Sequence, residues 1–109
     1  MTPNEYQQRA LQTAIYPNVG DNLIYPVLGI SGECGEISEK VKKIIRDKEG
    51  IMNDSDREAI AKEASDVAWY LAILAHELKY SLEEIFQMNI DKLSSRKERG
   101  VLSGSGDDR

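Results

Sequence analysis

Four carboxylates stand out by type and spacing: Glu33 and Glu36 in Gly32-Glu33-Cys34-Gly35-Glu36, and Glu63 and Asp66 in Lys62-Glu63-Ala64-Ser65-Asp66. Each pair is spaced i,i+3 on a segment that reads as a long helix, so its two acids share one face, a turn apart. With Glu33 set at zero on a helical wheel, Ile30, Ile37, Val41 and Ile44 fall at about +60°, +40°, +80° and +20°. Glu33 therefore flanks an apolar stripe, Glu36 lies just beyond it, and Glu39 is on the solvated side. The second pair repeats this. Val67, Leu71, Leu74 and Leu78 define a stripe, with Glu63 at its edge and Asp66 one step outside. Two unit charges about 4 Å apart repel by about 4 kcal/mol at an effective dielectric of 20. Four acids at a core edge need protons or a cation, or else they simply face water. An oxygen-only ligand set suits a hard ion, Mg²⁺ or Mn²⁺.

The helix expected over residues 81–98 carries the complementary charge. Asn89, Lys92 and Arg96 are spaced i, i+3, i+7 beside Leu82, Phe86 and Leu93. Polar groups near an apolar stripe need partners. These two cations suit either salt bridges to the acids or the oxygens of a phosphate. Tyr70 shares the edge of Glu63 and Asp66, as packing or as a ring for a base to stack on. Trp69 points elsewhere. His76 reads as a surface histidine. Cys34 lacks a histidine at a motif spacing and does not read as a nucleophile. Gly29, Gly32 and Gly35 follow no strand and lack the phosphate-loop pattern. In a helix they admit the close approach of a neighbour.

The elements that position these residues are four helices and no sheet. The first spans about 3–15, opened by the capping box Thr2-Pro3-Asn4-Glu5. The second spans about 22–48, with Pro26 tolerable only near its first turn and Gly50 as its stop. The third spans about 55–79, capped by Asp54 or Ser55 with Glu58 as partner. The fourth starts at Ser81 with Glu84 as partner, and Gly100 closes it. Residues 1–100 form one helical domain, and the Gly/Ser-rich segment 101–109 is expected to be disordered. The expected core is Val27, Ile30, Ile37, Val41, Leu71, Leu74, Leu78, Phe86 and Leu93. Ile24, Leu28, Trp69 and Ile73 lie off those stripes. Apolar residues on two sides of a helix suit an interface as well as a core.

Composition narrows the function classes. The chain has 109 residues and a formal net charge of −5, with a pI of about 4.9. That argues against wholesale binding of a nucleic-acid polymer, which wants a basic face. It leaves room for a nucleotide whose charge a metal carries. The single cysteine excludes an internal disulfide and fits a reducing cytoplasm. No signal peptide is legible and no apolar run is long enough for a membrane span.

Taken in order, Gly32-Glu33-Cys34-Gly35-Glu36-Ile37, Lys62-Glu63-Ala64-Ser65-Asp66-Val67-Ala68-Trp69-Tyr70-Leu71 and Asn89-Ile90-Asp91-Lys92-Leu93-Ser94-Ser95-Arg96 resemble the MazG-like, all-α nucleotide pyrophosphohydrolases. That family carries EExxE, a spacer and ExxD. Gly32 departs from it, standing where the first motif often has another glutamate. The resemblance implies a four-helix bundle-like protomer that assembles as a dimer or dimer of dimers. It implies Mg²⁺-dependent hydrolysis of a nucleoside triphosphate to the monophosphate and pyrophosphate. It further implies Glu33, Glu36, Glu63 and Asp66 as metal ligands, with Glu36, Glu63 and Lys92 in the chemistry. Asn89, Lys92, Arg96 and Tyr70 then contact substrate. Relatives of this fold specific for dCTP or dUTP are an alternative, and so is a helical interaction module without activity.

Overall fold

In the computed structural model, which describes all 109 residues, four helices follow one another: α1 (Pro3–Leu11), α2 (Ile24–Lys48), α3 (Asp54–Glu77) and α4 (Leu82–Glu98). There is no strand. Three of the helices begin with a reciprocal capping box, at Thr2/Glu5, Asn53/Asp56 and Ser81/Glu84. The cap of α3 is thus Asn53, not Asp54 or Ser55. Asp56 sits at the third helical position and returns a hydrogen bond to Asn53, a distance Glu58 cannot match from two residues further on. Pro26 is fully buried in the first turn of α2, where its missing N–H has no intrahelical partner to lose. At the other end of α2, Glu49 and Gly50 both take positive φ. The Gly50 N–H reaches back to the Ile44 carbonyl at 3.1 Å.

α2 and α3 form an antiparallel hairpin, the largest packing unit of the chain. Its seam is recorded by cross-helix pairs: Gly29 against Tyr70 near the open end, Lys40 with Glu63 in the middle, and Lys48 with Asp56 at the closed end. A Cβ at Gly29 would lie 2.1 Å from Cε1 of Tyr70. The expected close approach is therefore real at Gly29. It is absent at Gly32 and Gly35, which face open space.

α1 and α4 pack on the far side of α3 and on each other. Gln7 joins all three. Its Nε2 donates to the carbonyls of Ala72 and Tyr80, and its Oε1 accepts from the Leu82 N–H. The main core cluster therefore sits at Ala10, Tyr16, Ala72, Ile73 and Leu82, with Leu71 of the expected α3 stripe packed against it; on the expected α2 stripe Ile44 is buried, but most of the other stripe positions are not. Val27, Leu78, Phe86 and Leu93 are exposed. The expected stripes assumed one buried side per helix, whereas α3 is sandwiched between α2 and α1/α4. Ile73, off the main stripe, faces the side where the small Ala72 and Ala75 let α1 come close, and all three are almost fully buried.

α1 ends four residues short of the expected 15. Thr13 turns its hydroxyl to the Ala10 carbonyl and receives the Trp69 indole N–H at 2.8 Å. This turn delivers Tyr16 to Glu77. The Glu77 carboxylate accepts from the Tyr16 hydroxyl, from the Gly20 N–H at 2.9 Å and from the Asn22 N–H at 3.1 Å. Burial pushes the Glu77 carboxyl up, but those hydrogen bonds and the nearby His76 outweigh it and hold the group below the usual range.

Residues 101–109 contain no helix or strand. The buried Arg96 donates to the Asp107 carbonyl at 2.7 Å, and Arg109 donates to the carbonyls of Val101, Leu102 and Gly106. No helix is long and apolar enough to cross a membrane.

Two outcomes test this packing. Glu77→Ala strands one hydroxyl and two N–H groups, and should cost roughly 3 kcal/mol in chemical denaturation. Because the folded Glu77 is more acidic than the ordinary 4.5, its contribution is complete above that pH and is lost as pH falls through the lowered value. Glu77→Gln should flatten this acid limb. Gly29→Ala should cost about 1–3 kcal/mol by overpacking against Tyr70, a loss readable as a lowered melting temperature.

Candidate metal centre

The acids are brought together by helix geometry from both sides of the hairpin. Glu33 projects from the middle of α2, and Glu63 and Asp66 project from one face of α3, a turn apart. One carboxylate oxygen from each of the three lies within 4.8 Å of the others. Glu33 and Glu63 are partly buried, while Asp66 is exposed. The Glu33 carboxyl is pushed above the usual range by partial burial, by the Glu63 carboxyl beside it, and by the charges of Asp66, Glu63 and Glu36. Glu36, the fourth expected ligand, is exposed one turn further along α2 and adds to that field without joining the group of three.

The donor set fits a hard divalent cation. All donors are carboxylate oxygens, and three negative charges converge. Oxygens bound to Mg²⁺ at about 2.1 Å stand about 3–4 Å apart, so a small side-chain rotation closes this group on an ion. A cation there would remove the repulsion that, after burial and the Glu63 hydrogen bond, helps to raise Glu33.

Sequence reasoning missed Lys40. Its Nζ lies 3.4 Å from Oε1 of Glu63. The signal was present, since Lys40 is i+7 from Glu33 and i+4 from Glu36 and so shares their face. On the other side of the acids lies an aromatic chain. Tyr16 stacks on Tyr25 at 4.6 Å between ring centroids, Tyr25 approaches Tyr70 at 6.2 Å, and Trp69 meets Tyr70 edge-on at 5.0 Å. The Tyr70 hydroxyl is pushed up by burial, then by Tyr25 and by the Glu33 and Asp66 carboxylates. Tyr70 therefore lies within the electrostatic reach of the acids, as its place on their edge implied.

The α4 residues stand apart. Asn89 lines a cleft with Leu71, Ile85, Phe86 and Ile90. Lys92 is exposed, and Arg96 is engaged with the C-terminal segment. α4 packs on α1 and α3 and not on α2. Within one protomer, neither cation pairs with Glu33, Glu63 or Asp66.

Residues 20–101 match the model of the MazG nucleotide pyrophosphohydrolase domain. Gene 37 protein of Mycobacterium phage L5 is 49% identical over 109 residues, covering 95% of this chain and 96% of that protein. No solved structure shows a significant match. The match over residues 20–101 spans α2, α3 and α4 with the acid cluster at its centre, and the chain belongs to the MazG nucleotide pyrophosphohydrolase family.

Proposed function

We propose that this protein hydrolyses a nucleoside triphosphate to the monophosphate and pyrophosphate at the Glu33–Glu63–Asp66 cluster. The observation that supports it most is the convergence of these three carboxylates from two helices, within a chain of this family. Glu33, Glu63 and Asp66 hold Mg²⁺ or Mn²⁺, with Glu36 beside them. Bound there, the ion neutralises phosphate charge and makes water a better nucleophile. Glu36, exposed at the outer edge, orients the attacking water and accepts its proton. The water oxygen bonds to the α-phosphorus, the bond from that phosphorus to the bridging oxygen breaks, and pyrophosphate leaves. Tyr70 offers the base a ring face at the aromatic end of the seam.

Lys92 and Asn89 act on the phosphates in this reading when a second copy presents its α4, whereas Arg96, buried and bonded to the Asp107 carbonyl, is held by the C-terminal segment and is not free to join them. Two features support such an assembly. The radius of gyration is 16.9 Å, against about 13 Å for a compact domain of this length. Ile24, Leu28 and Ile45 on α2 remain 65–70% exposed. The protein is accordingly a homodimer or tetramer, and light scattering at micromolar concentration should find no appreciable monomer. A stable, active monomer would contradict the assembly.

Function is tested with a panel of canonical and damaged nucleotides plus Mg²⁺, scored for pyrophosphate against orthophosphate. Pyrophosphate is expected, and orthophosphate alone would refute cleavage at the α-phosphorus. Selective turnover of dCTP or dUTP would narrow the substrate to one base. Asp66→Asn should abolish turnover with the helical circular dichroism intact, and should raise the melting temperature without metal by relieving repulsion. Lys92→Ala should lower turnover at least tenfold more than it lowers metal affinity. Equal losses would mean that Lys92 organises the acids instead.

A further inference from the structure

The α2–α3 seam is chemically polarised along its length. At the open end stand the aromatic rings of Tyr25, Trp69 and Tyr70. The acids occupy the middle. Beyond them, toward the closed end, a cleft is lined by Lys40, Lys43 and Lys48 together with Asp47 and Asp56. The carboxylates of that cleft are already answered. Asp56 is held by Lys48 at 2.7 Å and 2.9 Å. Asp47 takes two hydrogen bonds from Arg46, both at 2.8 Å. Lys43 is only loosely committed, 3.7 Å from Glu39, which Lys42 holds at 2.7 Å.

Lys40 is the cation next to the acids. At 3.4 Å from Glu63 it makes a charge contact longer than a normal hydrogen bond. Its side chain is 38% exposed, so its four-carbon stem has room to swing. A divalent ion shared by Glu33, Glu63 and Asp66 would take up the charge of Glu63 and repel the ammonium, leaving Lys40 to find another anion. In a protomer whose α4 does not pack against α2, Lys40 is the ammonium placed to meet a phosphate at the acids.

We infer that Lys40 binds the β- and γ-phosphates of the substrate, so that the triphosphate runs from the acid cluster toward the lysine-lined cleft at the closed end of the hairpin and the base lies toward the aromatic end. This rests on the proposed pyrophosphohydrolase reading. It adds a substrate-binding residue and a direction to it. Lys40 is then an exchanging partner, paired with Glu63 in the free protein and with the leaving pyrophosphate in the loaded one.

Calorimetric titration with Mn²⁺ and then with pyrophosphate in the presence of Mn²⁺ tests this without turnover. Lys40→Met should weaken pyrophosphate binding at least tenfold, while Mn²⁺ affinity stays equal or tightens because a competing charge is gone. Lys40→Arg should restore most of the pyrophosphate affinity. Pyrophosphate affinity within twofold of the parent in Lys40→Met, with Mn²⁺ still bound, would overturn this inference alone. Weakened Mn²⁺ binding in Lys40→Met would also overturn it, by making Lys40 a support for Glu63. Failure of the parent protein to bind Mn²⁺ at all would remove the functional reading and this inference together.

Discussion

The seam between α2 and α3 depends on how the chain approaches α2, and one buried carboxylate sets that approach. Glu77, at the last turn of α3, gathers the Tyr16 hydroxyl and the N–H groups of Gly20 and Asn22. A charge taken out of water is tolerated only when its lone pairs are filled, and here the fillers are the loop that precedes α2. The loop cannot shift without stranding them. Tyr16 in turn stacks on Tyr25, which places the first turn of α2, and Gly29 then admits the Tyr70 ring. The register that brings Glu33 opposite Glu63 and Asp66 follows from these contacts at the open end and from Lys48–Asp56 at the closed end.

Within that register the acids are held against their own repulsion. Nothing in a free helical hairpin favours three carboxylate oxygens within 4.8 Å. Stability must therefore come from the packing on either side, and Lys40 relieves part of the charge. On the proposed function, a site organised in this way is prepared for a cation before one arrives. Preorganisation of this kind places the cost of assembling like charges on folding rather than on binding.

Much of this was legible in the residues. Three helix starts follow, to within a residue or two, from capping patterns, and the ends of α2 and α4 from Gly50 and Gly100, because those signals are local. The acids were found because a 3.6-residue period places i,i+3 pairs on one face whatever the fold. Positions fixed by distant partners were not legible. Gln7 reads as an ordinary polar residue of a short helix, yet it joins three elements through carbonyls more than sixty residues away. Glu77 reads as one more surface acid in a chain rich in them. Ile73 reads as part of a second apolar side that suits an interface as well as a core, and only the packing of α1 against α3 decides for the core. Lys40 could have been found, since the wheel that grouped Glu33 with Glu36 also carries it.

On the proposed function, the acid cluster directs water to the α-phosphorus. Turnover of a nucleoside triphosphate with Mg²⁺ in water enriched in heavy oxygen, followed by mass spectrometry of both products, tests it most directly. One heavy oxygen in the monophosphate and none in pyrophosphate is the expected result. Label in the pyrophosphate, with an unlabelled monophosphate, would place the attack on the β-phosphorus and contradict it.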